Sequence, residues 1–182
     1  MSKSAALNRE TIVKACNLAQ LRLDAQALGP MVSRSQFDRI ADHFIEVLSA
    51  ADLLPPKDFD DLRTALDDEV ARRDLSIAVN GLLHGKRSME ERFKHALGVF
   101  AHWNLARWSL MTVWSFLRYP DRYLLINSSS SLTSASQKPL PTKPDWPSFC
   151  RSQQGGLKIK KQLDAEDLIE VVIHLRVSEV TK

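Results

Sequence analysis

Apolar residues recur along most of this chain at the three-and-four spacing of a helix that buries one face. Asn8 suits a helix N-cap, and Ile12, Leu18, Leu21 and Leu28 follow it, with Gly29 and Pro30 as the expected stop of a first helix. The second helix has the clearest pattern. Phe37, Ile40, Ala41, Phe44, Ile45 and Leu48 share one face, Ser33 and Ser35 are candidate caps, and Pro55 with Pro56 closes the unit. A third begins near Asp58 and turns Phe59, Leu62, Leu66 and Val70 inward, leaving Asp67, Asp68 and Glu69 as a solvated acidic patch. The apolar block of Leu75, Ile77, Val79, Leu82 and Leu83, ending at Gly85, either continues that helix or starts a fourth. Ser88 and Glu91 have capping-box spacing and predict a helix that buries Met89, Phe93, Leu97 and Phe100. The next runs from about Asn104 to Tyr119 and carries Leu105, Trp108, Met111, Thr112, Ser115 and Phe116. Pro120 ends it, because proline disfavours helical backbone in the residue before it.

The pattern then breaks. Residues 127–147, NSSSSLTSASQKPLPTKPDWP, hold a serine run and four prolines. They predict a mobile surface loop over about 127–145. Asp145 and Pro147 signal a helix start, which Gly155 and Gly156 weaken or break. The last segment, 164–180, reads two ways. Leu168, Val172 and Leu175 fit a helix face, whereas Ile169, Val171, Ile173, Leu175 and Val177 alternate as in a strand that could pair with 123–126. The helix is the preferred reading. The expected fold is all-α or nearly so, with six to eight helices in one compact domain and a short C-terminal β element as the alternative.

Charge adds to this picture because it is uneven. Residues 86–161 hold 13 Lys/Arg against 4 Asp/Glu, and the remainder holds 12 against 18. A basic half invites DNA, RNA or an acidic protein partner, or it docks on its own acidic half. Other chemistry is thinly represented. Cys16 and Cys150 share no metal-ligand or redox spacing, and the five histidines form no paired-ligand motif. Glycine-rich phosphate loops and nucleophile elbows are lacking, so no cofactor or metal is expected. No apolar run is long enough to span a bilayer and the N-terminus has no signal-peptide core, which points to the cytoplasm.

The stretch 103–127, WNLARWSLMTVWSFLRYPDRYLLIN, is the densest in aromatic and arginine side chains. Such side chains stack on bases and contact phosphates, or they pack a core. Trp114 falls off the main apolar face of its helix and is a candidate stacking platform. Arg107, Arg118, Asp121, Arg122 and Tyr123 complete the local candidate surface, and Arg87, Lys158 and Lys160 extend it over the basic half. A variant reading makes the chain a small enzyme acting on nucleic acid, with Asp121 and Arg122 near its site. Another makes it a protein-binding subunit or inhibitor.

Within this stretch Trp108, Thr112, Phe116, Leu117, Pro120, Asp121, Arg122, Tyr123 and Ile126 form the pattern W-x3-[TV]-x3-F-L-x2-P-D-R-[YH] and its apolar continuation. It resembles a segment of a poorly characterised prokaryotic family, some of whose members occur in restriction or phage-defence contexts. The resemblance takes in roughly residues 88–177, including the aromatic helix start at Trp146 and Phe149 and the closing LDAEDLIEV at 163–171. It implies an accessory role in defence and transfers no catalytic residue. Where relatives often carry lysine, this chain has Asn127.

Overall fold

The structure, a computed structural model, describes residues 8–127 and 140–180. Nine helices form among the described residues, and no strand. The all-α expectation therefore holds, with helices slightly more numerous than six to eight. The difference arises at two aspartates. What reads as one first helix is α1 (Arg9–Arg22) and α2 (Ala25–Ser33), separated by Asp24, whose carboxylate accepts the Gln26 N–H at 2.9 Å as an N-cap. Gly29 and Pro30 lie inside α2 instead of ending a helix. Leu21 is 73% exposed; at 100° per residue it stands opposite Ile12, nine positions earlier. After α3 (Phe37–Ser49), the helices α4 (Pro56–Asp67) and α5 (Glu69–His84) part at Asp68, which accepts the N–H groups of Val70 and Ala71. The new register carries Val70 outward, to 48% exposure.

The remaining helices are α6 (Met89–His102), α7 (Trp108–Arg118), α8 (Trp146–Leu163) and α9 (Leu168–Val180). The capping box of Ser88 and Glu91 opens α6 as expected. Asn104 does not start a helix. It adopts left-handed backbone (φ 57°) just past α6, and the next N–H, of Leu105, returns to Phe100 O at 2.7 Å. Asparagine tolerates this conformation better than most residues. Ser35 and Asp164 close α2 and α8 in the same way, with Gln36 N–H bonded to Met31 O and Ala165 N–H to Lys160 O. Ser35 is thus a C-terminal stop and not an N-cap; α3 starts after Gln36 with no side-chain cap.

Every helix contributes to one buried cluster. Helix α5 packs on α2, α3, α4, α6 and α7, and α1 packs on α3, α7 and α9. All side chains of α7 from Trp108 to Leu117 are buried, so this helix, apolar nearly all round, runs through the core.

Helix α8 continues through Gly155 and Gly156, and at Gly156 another segment needs the space. A Cβ on Gly156 would lie 2.9 Å from Leu124 Cδ2. The extended segment that contains Leu124 has no sheet partner. Gln153 of α8 instead accepts the Leu124 N–H at 2.6 Å and donates to Leu124 O at 3.2 Å, and Thr112 Oγ1 accepts the Ile126 N–H at 3.0 Å. Side chains thereby satisfy backbone groups that a hairpin would otherwise pair, and 168–180 is helical. The expected mobile loop falls mainly on residues 128–139, outside the described residues. The described part after it is docked: Leu140 and Pro144 are buried and Trp108 Nε1 donates to Pro141 O at 2.8 Å.

Candidate anion-binding surface

Burial removes the first candidate. Trp114 has no exposed surface and packs on Phe44 with ring centroids 4.7 Å apart. It is a core side chain and offers no face to a base, because α7 is enclosed on every side. The other tryptophans of the stretch are also engaged. Trp108 is buried, and half-buried Trp103 makes a T-shaped contact with the His102 ring, centroids 5.1 Å apart.

Two candidate arginines are consumed by the acidic half. Arg107, just before α7, forks onto Asp58 and Asp61 of α4, at 3.1 Å and 2.5 Å, and Ser109 Oγ also donates to Asp58. The Asp61 carboxyl is held below the ordinary aspartate range by Lys57 first and Arg107 second. Arg118, at the end of α7, donates to Asp24 Oδ2 at 2.7 Å and lies over the Tyr119 ring at 4.9 Å. Asp24 is likewise held below its ordinary range, chiefly by the Gln26 N–H and then by Arg118. Arg107 and Arg118 therefore act as internal ties. The docking of the basic half on the acidic half is real at these two points.

Other candidates stay open to a ligand. The turn at 119–123 is closed by the Arg122 and Tyr123 N–H groups on Tyr119 O and is tied to α9 by Leu168 N–H on Pro120 O. Asp121 and Arg122 are exposed on it and Tyr123 is half-buried. Arg122 and Tyr123 line a cavity of about 150 Å³ together with Arg92, Ser115 and Tyr119; Leu82, Leu83 and Met89 form its apolar wall. Asp121 does not line it. Behind the turn, Tyr123 stacks on Phe149 at 6.4 Å, and Phe149 on Trp146 at 5.4 Å, which joins the turn to the start of α8.

Arg92 and Ser115 join the site although no local pattern marks them for it, and Tyr119 comes from the aromatic and arginine-rich stretch 103–127. Arg92 Nη1 donates to Leu82 O and Leu83 O, the last carbonyls of α5, and its side chain crosses Gly85, where a Cβ would meet Arg92 Cδ at 2.8 Å. For Arg92 the signal lay in the connection between helices. The short link between α5 and α6 sets the first turn of α6 beside the end of α5, where a cation neutralises the free carbonyls. Glu91 is held below the ordinary glutamate range by the Ser88 hydroxyl and N–H, so its charge is spent on the cap.

Arg87 is exposed between α5 and α6. Lys158 is exposed and Lys160 half-buried on α8, away from the cavity. On the outer face of α8, Arg151, Gln154, Lys158 and Lys161 are all exposed at helical spacing. Over ten residues that face extends about 15 Å. Neither thiol is set up for reaction, since burial pushes Cys16 up to about 12 and raises Cys150 as well. No group of acidic, histidine or cysteine side chains suited to a metal occurs among the described residues. Nor is any helix among them long and apolar enough to cross a membrane.

No known protein family, curated protein or solved structure matches the chain.

Proposed function

We propose that the protein is a binding module that holds nucleic acid against its basic half, and that it serves as an accessory component of a prokaryotic defence system. The defence context comes from the resemblance over 88–177 alone. The binding reading is carried by one observation, the set of cations that folding leaves unpaired. Within 86–161 the acids are few and mostly engaged: Glu90 pairs with Lys94, Glu91 binds Ser88, and Asp145 caps α8. Arg107 and Arg118 find acids elsewhere in the chain. Lys86, Arg87, Arg122, Lys158, Lys160 and Lys161 form no ion pair among the described residues. Cations left without a carboxylate favour a polyanion, which releases counterions when they bind it. The outer face of α8 suits a phosphate backbone, because its cations are spread along one line.

The test is a titration with mixed-sequence DNA and RNA at two salt concentrations. Affinity should fall with salt at a log–log slope of about −0.7 to −0.9 per phosphate contacted. Replacing Lys158 and Lys161 together by glutamine should weaken binding to all sequences and flatten that slope by about two contacts' worth. Lack of binding to either polymer at low salt would overturn the proposal and move the surface to an acidic protein partner.

A further inference from the structure

We infer that the cavity behind the 119–123 turn is a binding site for a single phosphoryl group, carried by a nucleic-acid end or by a small phosphate monoester. The inference rests on the nucleic-acid reading only for the first of these sources.

The cavity is formed where three helix ends meet the turn: the last residues of α5, the first turn of α6 and the end of α7. Its polar lining consists of donors. Arg92 and Arg122 bring guanidinium groups, Ser115 a hydroxyl, and Tyr119 and Tyr123 phenols; no carboxylate lines it. Most of this donor capacity is unused within the protein. Arg92 Nε is buried without a partner, although Nη1 of the same group is anchored on two carbonyls. The side-chain hydroxyls of Ser115, Tyr119 and Tyr123 make no hydrogen bond among the described residues. Donors gathered around one cavity without acceptors of their own favour an acceptor that arrives from outside.

Charge and size narrow the ligand. Two arginines without a lining carboxylate call for an anion, and a guanidinium fork matches the geometry of a phosphate or carboxylate. A phosphate monoester carries about −1.5 to −2 charges at neutral pH and three acceptor oxygens, more than a carboxylate can present to five donor side chains. At about 150 Å³, the cavity is about half the volume of the smallest ordinary ligand pockets, which begin near ~300 Å³. One phosphoryl group enters, and the rest of a nucleotide stays outside.

The experiment uses the full chain and inorganic phosphate as the probe, titrated by calorimetry at fixed ionic strength. Saturable binding is expected. Arg122→Gln should weaken it at least tenfold without moving the melting temperature, because Arg122 is exposed and forms no internal tie. Tyr123→Phe should weaken it several-fold. Phosphate that fails to saturate, or that binds Arg122→Gln as it binds the wild type, overturns the site. Oligonucleotides with and without a 5′-phosphate then distinguish the sources. A preference for the phosphorylated end that disappears in Arg122→Gln identifies a nucleic-acid terminus. Phosphate binding without such a preference identifies a small phosphate monoester and still supports the site. Polymer binding with its normal salt slope but no phosphate binding removes the cavity and leaves the proposed function standing. Phosphate binding without polymer binding does the reverse.

Discussion

Replacing Trp114 separates a core role from a binding role. The ring has no exposed surface and rests on Phe44. A buried aromatic of this kind contributes about 150–250 Å² of contact, which at about 25 cal/mol per Å² is worth about 4–6 kcal/mol as an upper value. Trp114→Ala should therefore cost about 3–5 kcal/mol, the range usual for removal of a buried aromatic. For a chain of this length that lowers the melting temperature by about 2–4 °C per kcal/mol. Trp114→Phe should behave differently. The indole N–H is buried without a hydrogen-bond partner, and such an orphan costs about 1–3 kcal/mol. Phenylalanine removes that penalty while it gives up part of the ring area. The two terms oppose, and the variant should stay within about 1.5 kcal/mol of the wild type. Because the rings touch, a double-mutant cycle with Phe44→Ala should show a coupling of about 0.5–1.5 kcal/mol. Urea unfolding followed by far-ultraviolet circular dichroism measures all of these. Trp114→Ala at wild-type stability, together with a loss of nucleic-acid affinity, would refute the burial argument and return this ring to the surface.

Two glycine variants should move stability in opposite directions. Gly98→Ala, at an exposed position of α6 with nothing within 4 Å of the added methyl, should stabilise the protein by about 0.5–1 kcal/mol. Gly156→Ala gains the same propensity but presses on Leu124; overpacking of about 1–3 kcal/mol should make it a net loss, and thermal melts check both. A pH series tests Asp24. Its folded pKa lies below the unfolded value of about 3.9, so its contribution is complete above that value and is lost as pH falls through the folded one. Asp24→Asn keeps a capping side chain but loses the charge facing Arg118; its melting temperature should lie below wild type at neutral pH and converge with it in strong acid. A gap that persists unchanged in acid would show that the Asp24 charge contributes nothing.

What could be read in advance follows from the range of the interactions. Local signals were legible. The capping box at Ser88, the apolar face of α3 and the Pro147 start of α8 each act within a turn or two of helix. Local punctuation failed where a competing signal lay close by. Asp24 broke the first helix before Gly29 and Pro30 could, and Asn104, read as a start, served as the left-handed stop of the preceding helix. Gly156 was misread for a different reason, since the residue that requires it, Leu124, is remote in sequence.

The same limit governs the candidate site. Arg118 meets Asp24, 94 positions away, and Arg107 meets Asp58 and Asp61 at separations of 49 and 46. In the sequence, an arginine with such a partner looks the same as one that waits for a ligand. Folding separates the two classes by subtraction. Arginines that find a carboxylate become ties between the basic and acidic halves, and their loss leaves a part-buried charge facing nothing. Cations that find none stay at the surface, where replacing them costs little stability. On the proposed function, Arg107 and Arg118 belong to folding, and Arg122, Lys158 and Lys161 to recognition. The distinction predicts two groups of variants with little overlap. Substitutions in the first should lower the melting temperature and reduce binding only through the folded fraction. Those in the second should leave the melting temperature in place and change the salt slope or the phosphate affinity directly.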